Sequence, residues 1–473
     1  MFFQRFYNEN IAQASFLIGC SANGEAIVVD PNRDVAQYIH AAEREGLRIV
    51  AVTETHIHAD YVSGSRELAN LTGAKLYLSK EGGPDWQYAY ALEAQATLIG
   101  DGDSIQIGNV RLQAVHTPGH TPEHLSFLVI DGAATSEPNA VLTGDFIFAG
   151  DVGRPDLLEV AAGFRDTMRK GAEVLYASVE KFKSQPDRLM IWPGHGAGSA
   201  CGKRLGGVPV TTLGYEKLVN PSLRMTSKDD FVDDILAGQP EPPKYFARMK
   251  SINKIGPNPT LDKLTPVRLP ASGLLGINPS AKLLDVRPAE QYLAGSITKA
   301  IAIPIDKSFS KWAGSLFQAD DEIVLIAENS EQAAEATKTL IMIGLEHVTG
   351  WLEAGAALAE ARRVGRFKNP GFLSADELAA QGDVEILDVR TSAERGEAYL
   401  EGSHHVPLAY LAAAQDLPEG CTLAVHCASG GRAVVAASYL QSKGIPAVPV
   451  RASFESVKAA KESSKKEVAG NPV

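Results

Sequence analysis

Short apolar runs separated by turn residues dominate the first half of the chain. The runs are rich in β-branched residues and are bounded by Gly, Pro, Asp and Asn, which is typical of β-strands joined by turns. They are IAQASFLI (11–18), EAIVVDP (25–31), RIVAVTET (48–55), KLYLS (75–79), SIQIGNVRLQAVHTPGH (104–120), LSFLVIDG (125–132) and AVLTGD (140–145). Helical patterns intervene at residues 34–45 and 159–182. Strands carrying a few surface helices predict a sandwich of two sheets covered by helices.

The pattern changes near residues 236–270, where prolines become frequent, as in AGQPEPPKYF and KIGPNPTLDK. Such a composition is typical of a linker. Beyond it, LLDVRPAEQYLAGSITKAIAIP (283–304) returns as ILDVRTSAERGEAYLEGSHHVPL (386–408), with a period of roughly 100 residues, the size of a small domain. Each copy continues with an apolar strand and a helix that ends at a glycine, Gly344 or Gly444. Strands that alternate with helices predict a parallel α/β sheet in each copy.

Composition and charge exclude several classes of function. The formal net charge of −12 argues against a nucleic-acid-binding face, which needs clustered Lys and Arg. No apolar run approaches the roughly 20 residues of a membrane helix, and the N-terminal residues lack the basic flank and apolar stretch of a signal peptide. The cysteines are too few for a disulfide framework, so we expect a cytoplasmic protein with no nucleic-acid or membrane partner. These cysteines are Cys20, Cys201, Cys421 and Cys427.

Histidines and carboxylates recur where the predicted strands end. His56 and His58 follow the strand RIVAV within THIHADY; His120 lies in HTPGH, Asp145 in LTGD and His195 in WPGHG. Loops at one edge of a rigid sheet can bring such groups together, and a divalent metal needs several imidazoles and carboxylates at one point. A lone His-x-His is common by chance, but several such segments in one domain predict a metal site.

The order THxHAD, TPGHT, TGD and PGHG resembles the metallo-β-lactamase superfamily, which includes glyoxalase II and the persulfide dioxygenases. The resemblance covers about the first half of the chain. It implies an αββα sandwich with a metal at one edge.

One departure from the pattern selects a branch of the superfamily. Dinuclear members carry HxHxDH, whereas the final position here is Tyr61, and losing an imidazole ligand favours a single metal. The resemblance to persulfide dioxygenases then implies that His56, His120 and Asp145 are the ligands. Two histidines and one carboxylate suit non-haem Fe(II) and O₂ chemistry. The remaining motif residues would orient the ligands or contact substrate; they are His58, Asp60, Tyr61 and His195.

Other residues near these motifs have two interpretations each. Arg154 lies in a turn-rich loop beyond Asp145 and either holds a carboxylate of a thiol carrier or forms an internal salt bridge. Cys201 follows WPGHG and either takes part in a sulfur relay or is a small buried apolar residue, which is the commoner fate of a free Cys. His116 and His124 flank His120, and we expect them to be structural or to orient the ligands.

The segment CASGGR places a thiol between an apolar strand and a helix. Cys427 ends the strand TLAVHC, and the loop through Gly430 and Gly431 leads into the helix. Backbone N–H groups and the positive helix end stabilise a thiolate there, which makes it a nucleophile. Arg432 can support an anionic sulfur donor. The six-residue Cys-to-Arg loop resembles that of rhodanese sulfurtransferases, whereas dual-specificity phosphatases usually have five residues between Cys and Arg, and here only four intervene.

The first copy of the repeat lacks this chemistry. Counting back from the glycines places Ala327 where Cys427 stands and Gln332 where Arg432 stands. We therefore interpret the first copy as a catalytically silent rhodanese-like spacer.

The whole chain resembles bacterial persulfide dioxygenase–rhodanese fusions, with an α/β fold throughout. The resemblance implies one Fe(II) per chain and oxidation of a thiol persulfide by O₂ to sulfite, which Cys427 turns into thiosulfate. A zinc-dependent hydrolase of glyoxalase II type and a non-catalytic sulfur carrier are the alternatives. Related folds often associate, so we expect a homo-oligomer; the carrier thiol stays open. The predicted segments are a metallo-β-lactamase-fold domain (1–245), a linker (246–270), a silent rhodanese-like domain (271–364) and an active rhodanese domain (365–473).

Overall fold

A computed structural model describes residues 1–157, 167–239, 241–381 and 384–469, with side chains as far as residue 463. The chain divides into two compact units. The first contains Met1–Asp262 with Ile341–Gly344, and the second contains Lys263–Leu340 with Leu345–Val473.

The first unit is built on two six-stranded sheets, ordered β1-β2-β3-β4-β5-β6 and β12-β11-β10-β9-β8-β7. Its strands are β1 (Phe2–Asn8), β2 (Gln13–Cys20), β3 (Glu25–Val29), β4 (Arg48–Thr53), β5 (Lys75–Ser79), β6 (Thr97–Ile99), β7 (Ser104–Ile107), β8 (Val110–His116), β9 (Leu125–Asp131), β10 (Ala140–Gly144), β11 (Met190–Pro193) and β12 (Thr211–Thr212). Alternate apolar residues from both sheets, such as Phe16, Leu112 and Phe127, meet in one buried core.

Helices cover the outer faces of both sheets. They are α1 (Ala36–Arg44), α2 (Ser65–Thr72), α3 (Met168–Phe182), α4 (Leu213–Val219), α5 (Pro221–Arg224), α6 (Lys228–Leu236) and α7 (Phe246–Ile255), with a 3₁₀ turn at Pro84–Trp86. Tyr38 and Leu68 join a core on the first sheet, and Leu175 and Phe231 join a core on the second. This is the predicted αββα sandwich, and the fold-class prediction is confirmed. Of the predicted helix 159–182, residues 159–166 lie outside the described part of the chain.

Helix α7 lies inside the segment that the sequence predicts to be a linker. Its Asn253 is buried, and the side-chain amide donates to the carbonyl oxygens of His58 at 2.8 Å and Tyr61 at 2.7 Å. The helix belongs to the first unit and holds the HxH loop in place. The sequence did not predict helix α7, because composition averaged over a window does not resolve a short helix between prolines.

The second unit contains two sheets of the same topology, ordered β15-β13-β16-β17 and β20-β19-β21-β22, in which neighbouring strands are parallel. Its strands are β13 (Lys282–Asp285), β14 (Ser296–Ile297), β15 (Ile301–Ala302), β16 (Ile323–Ala327), β17 (Val348–Glu353), β18 (Phe367–Lys368), β19 (Glu385–Asp388), β20 (His404–His405), β21 (Leu423–His426) and β22 (Ala447–Pro449). Strands β14 and β18 form a separate antiparallel pair. The predicted parallel α/β sheets are confirmed in both copies of the repeat.

Helices connect the strands of each copy. They are α8 (Ala289–Ala294), α9 (Phe309–Leu316), α10 (Ser330–Met342), α11 (Ala354–Arg363), α12 (Ala375–Ala380), α13 (Ser392–Glu397), α14 (Gly431–Ser442) and α15 (Phe454–Ala469), with 3₁₀ turns at Leu261–Lys263, Ala271–Gly276 and Leu408–Ala413. Helices α10 and α14 stop just before Gly344 and Gly444, whose φ angles of 72° and 82° are left-handed. The two glycines at which the sequence predicts that helices end therefore lie just beyond the observed helix ends. None of the helices in the described ranges has both the length and the apolar character that crossing a bilayer requires.

Candidate functional site

Strand ends of the first unit bring His56, His120 and Asp145 together. His56 follows β4, His120 lies between β8 and β9, and Asp145 follows β10 directly. One potential ligand atom from each side chain lies within 4.8 Å of the other two, and all three residues are buried. The three residues that the sequence proposes as ligands therefore share one point at the edge of the sandwich.

Hydrogen bonds orient both imidazoles of this group. The Thr55 hydroxyl donates to Asp30 Oδ2 at 2.9 Å and so accepts from His56 Nδ1, also at 2.9 Å. His120 Nδ1 donates to the carbonyl oxygen of Arg154 at 2.9 Å. Each ring therefore carries its proton on Nδ1 and presents a bare Nε2 towards the centre, the tautomer that a metal-binding histidine needs.

Three of the atoms that face the centre lack a hydrogen-bond partner among the described residues. In the described part of the chain, His56 Nε2 and both carboxylate oxygens of Asp145 are buried without a hydrogen-bond partner. His56 Nε2 and His120 Nε2 lie 4.0 and 3.5 Å from Asp145 Oδ2. Burial lowers the pKa of both histidines, which favours neutral imidazoles. Unsatisfied buried polar atoms are costly, and a divalent cation would satisfy all of these, so the donor set fits a metal.

A second group adjoins the first and contains Asp60, His195 and Cys201, whose ligand atoms also lie within 4.8 Å of one another. His195 Nδ1 donates to the Ala12 carbonyl at 2.9 Å, and its Nε2 lies 3.3 Å from carboxylate oxygens of both Asp60 and Asp145. Cys201 is buried, and burial together with the two carboxylates raises the pKa of its thiol well above the ordinary value. Cys201 therefore lies at the metal edge as a protonated thiol.

His58 belongs to neither ligand group, and Tyr61 lies beside it. Burial lowers the pKa of His58, but Asp30, whose carboxylate is 3.1 Å from His58 Nε2, outweighs that effect and the pKa rises to about 9. Tyr61 packs against His58 with the ring centroids 4.5 Å apart and the ring planes tilted by 37°, and its hydroxyl donates to the Asp30 carbonyl at 3.3 Å. Both residues contact Asp30, and the His58 ring lies 4.2 Å from the His56 ring between their centroids.

Two further residues, Asp30 and His124, orient the site, and of these only Asp30 was not identified in this role from the sequence. Asp30 accepts from the Thr55 backbone N–H at 2.6 Å as well as pairing with His58. His124 accepts from the Asp145 backbone N–H at 3.1 Å, and burial lowers its pKa to about 3. The signal for Asp30 was present, because an acidic residue ends the run EAIVVD as one ends AVLTGD.

The structure favours the internal salt bridge for Arg154. Its guanidinium is buried and pairs with Asp156 through Nε at 2.8 Å and Nη2 at 2.6 Å. Nη1 donates to the carbonyl oxygen of Ala200 at 3.0 Å. This guanidinium is paired with a carboxylate inside the protein and also bonds the loop that carries Cys201.

In the second unit, Cys427 lies where β21 ends and is buried. The Gly430 N–H donates to its sulfur at 3.1 Å, and α14 begins at Gly431. Gly430 has a φ of 92°, which brings the loop back towards the sulfur. The sulfur therefore faces a backbone donor and the N-terminal end of a helix, as the sequence predicts.

The guanidinium of Arg432 is held by Glu394 through Nη1 at 2.8 Å and Nη2 at 2.6 Å. This bidentate bond is the largest cause that lowers the pKa of Glu394 from its ordinary 4.5 to about 2. A depressed carboxyl pKa means that the ion pair is present above pH 4.5 and is lost only as the pH falls through about 2. Glu394 thus orients Arg432 beside Cys427.

The DVR stretch that revealed the repeat is structural in both copies. Asp388 pairs with Arg390 Nη2 at 2.8 Å, and Asp285 pairs with Arg287 Nη2 at 2.6 Å. Each arginine also donates to a carbonyl further along its copy. The silent copy therefore keeps the framework of the fold without the nucleophile.

A glycine of the thiol loop allows a matched prediction. Replacing Gly430 with Ala is expected to destabilise the protein by about 1–2 kcal/mol, because its φ is left-handed. A Cβ there would also lie 3.2 Å from Arg451 Cα, so we expect sulfur transfer to fall at least about tenfold. Gly396→Ala is the control, since Gly396 lies in the same module outside the thiol loop and nothing lies within 4 Å of a Cβ at that position. Melting temperature and transfer rate should separate the two variants; equal loss in both would contradict the assigned loop geometry.

Family models and relatives match both halves of the chain. The metallo-beta-lactamase superfamily model matches residues 10–195, and the rhodanese-like domain model matches residues 273–357 and 374–460. The mitochondrial persulfide dioxygenase ETHE1 of Bos taurus is 30% identical over 220 residues, covering 46% of this chain and 73% of the relative. A hydroxyacylglutathione hydrolase of Chromohalobacter salexigens is 29% identical over 180 residues, covering 38% of this chain and 60% of the relative.

Among solved structures, a metallo-beta-lactamase from Staphylococcus aureus subsp. aureus COL aligns with a TM-score of 0.69 and 42% identity. The alignment covers 74% of this chain and 99% of that one, a share that the first unit cannot supply alone. The fold is that of the metallo-beta-lactamase superfamily. The chain belongs to its persulfide dioxygenase family and carries tandem rhodanese-like domains, so the predicted fusion is confirmed. Membership in this family implies an enzyme with a metal cofactor.

Proposed function

We propose that the first unit oxidises a low-molecular-weight thiol persulfide with O₂ and that Cys427 transfers sulfane sulfur to the sulfite produced. The convergence of His56, His120 and Asp145 carries the first half of this proposal. In the first reaction one persulfide, one O₂ and one water give the free thiol, sulfite and two protons. The sulfane sulfur is oxidised and O₂ is reduced.

His56, His120 and Asp145 would hold a single Fe(II), which when bound supplies the O₂ and redox chemistry of the site. The protein contributes orientation and exclusion of water. Thr55 and the Arg154 carbonyl fix the two imidazoles, and the His124 ring holds the backbone of Asp145. Burial of all three ligands keeps bulk water from the reacting atoms.

The second reaction moves sulfur through Cys427. Its thiolate attacks the sulfane sulfur of a second persulfide, the S–S bond of that persulfide breaks, and the carrier leaves as the free thiol. The Gly430 N–H, 3.1 Å from Sγ, stabilises the anion. Sulfite then attacks the outer sulfur of the Cys427 persulfide, giving thiosulfate and returning the thiolate.

The combined experiment is O₂ consumption by anaerobically purified, iron-loaded protein given glutathione persulfide, with sulfite and thiosulfate quantified together. Uptake with thiosulfate as the product supports both sites. The hydrolase class remains the alternative because a hydroxyacylglutathione hydrolase is among the relatives and Asp60, His195 and Cys201 form a second ligand group. Two bound zinc ions, thioester hydrolysis and no O₂ uptake would replace the dioxygenase proposal with that alternative.

The metal count has its own prediction. Tyr61→His is expected to raise the metal content above one per chain, because an imidazole at this position completes the HxHxDH pattern of dinuclear relatives. Asp60 and His195 would supply the other ligands, since Asp60 Oδ2 and His195 Nε2 lie 3.3 Å apart. Elemental analysis of wild type and variant, both loaded under the same conditions, gives the comparison. An unchanged count would mean that Tyr61 is not what excludes a second metal.

A further inference from the structure

A cleft of about 750 Å³ lies within the second unit and is lined by both rhodanese-like modules, the first at 273–357 and the second at 374–460. Lining residues that belong to the first module include Lys311, Trp312 and Gln332. Those that belong to the second module include Ser429, Arg432 and Arg451. Ser429 and Arg432 belong to the Cys427 loop, so the silent module forms a wall of the cleft onto which the reactive loop opens.

The two walls are held together through the helix that the reactive loop begins. Ser438 on α14 accepts from the backbone N–H of Ala302, on β15 of the first module, at 2.9 Å, and both residues are buried. Val434, also on α14, is part of the hydrophobic core of the first module. The position of Lys311 and Trp312 relative to the loop is therefore set by packing.

The size of the cleft points to an organic ligand. Pockets of roughly 300–1,000 Å³ suit small organic molecules, whereas thiosulfate or sulfite would fill only a small part of about 750 Å³. The ligand must also place its sulfane sulfur at the Cys427 loop. A thiol carrier with its persulfide end at that loop has room to extend along the cleft towards the first module.

The wall of the cleft that belongs to the first module has a cation beside an aromatic ring. Among the described lining residues three are cationic and two are acidic. Arg432 is bound by Glu394, and Arg451 is bound across the modules by Glu290 at 2.7 Å. The half-buried Lys311 has its ammonium 4.9 Å from the ring centroid of the half-buried Trp312. A cation beside an aromatic face can receive both a carboxylate and an apolar stem.

We propose that the silent module is part of the substrate site: Lys311 and Trp312 bind the non-reacting, anionic end of the carrier thiol persulfide that delivers sulfur to Cys427. This inference rests on the proposed sulfur transfer and adds to it a specificity-determining surface. It changes the interpretation of the first copy from spacer to substrate-binding wall.

The test compares two sulfur donors, glutathione persulfide and thiosulfate, with cyanide as acceptor and thiocyanate as the measured product. We expect Lys311→Ala to raise the KM for glutathione persulfide at least about fivefold with a smaller change in kcat, and Lys311→Glu to raise it further. The effect on glutathione persulfide should exceed the effect on thiosulfate, which has no carrier to extend along the cleft. Trp312→Leu should act in the same direction as Lys311→Ala.

Lys307→Ala is the matched control, since Lys307 is an exposed lysine of the same module and is not among the residues that line the cleft. Equal KM values for glutathione persulfide in wild type and both Lys311 variants, with thiosulfate transfer intact, would overturn the inference and leave the sulfur-transfer proposal standing. A wild-type protein that transfers sulfur from neither donor would instead overturn the sulfur-transfer proposal, and the inference with it.

Discussion

Asp145→Ala is expected to lose the bound metal and to abolish O₂ uptake. Asp145 contributes carboxylate oxygens 3.5 Å from His120 Nε2 and 3.3 Å from His195 Nε2, so its removal takes the anionic ligand and leaves the imidazoles facing one another. Loss of residues that merely support metal ligands costs about 10–100-fold in affinity or activity. Removal of a ligand should therefore reduce O₂ uptake by at least about 100-fold. Iron content and oxygen-electrode traces on the same sample measure both effects.

His116→Ala is the control for that experiment. His116 lies four residues before His120 in the sequence, but its ring is half-buried and its Nε2 bonds the Pro122 carbonyl at 2.8 Å. It contributes nothing to the ligand group and should leave iron content unchanged. If Asp145→Ala kept its iron and its turnover, Asp145 would have to be removed from the proposed ligands. Circular dichroism distinguishes loss of metal from loss of fold.

Cys427→Ser is expected to stop thiosulfate formation while sulfite production and O₂ uptake continue. A hydroxyl in place of the thiol accepts the same backbone donor but cannot form the persulfide, so transfer should fall by about 10³-fold or more, as when other catalytic nucleophiles are removed. Sulfite should accumulate, because the step that consumes it is lost. Ion chromatography of sulfite and thiosulfate over time, beside O₂ uptake, records the three quantities together.

The control is Cys421→Ser, which changes a half-buried free cysteine six residues earlier in the same copy of the repeat. Thiosulfate formation should be retained in that variant. Persistence of thiosulfate at the wild-type rate in Cys427→Ser would mean that another group carries the sulfur. Loss of O₂ uptake in the same variant would contradict the assignment of the two reactions to separate sites.

Local pattern and motif order were enough to determine the architecture. Alternating apolar residues and turn signals placed strands such as β3, β4 and β9, and Gly344 and Gly444 marked the ends of two helices. A repeated stretch of sequence revealed two modules of one topology, and Ala327 in place of Cys427 separated the silent copy from the reactive one. These features are readable because side-chain periodicity, helix termination and motif spacing are properties of neighbouring residues.

Only the tertiary structure decided which other side chains meet around the two sites. Asp30, at the end of β3, pairs with His58, which follows β4. Asn253, on helix α7 in the proline-rich segment, bonds the HxH loop. Glu394 on α13 pairs with Arg432 on α14. The local sequence pattern also does not predict the cleft between the two modules, which Lys311 lines on one side. The sequence encodes where each strand ends, but sheet order and helix packing determine which of those ends become neighbours. These contacts join residues far apart in the chain, so no local periodicity records them.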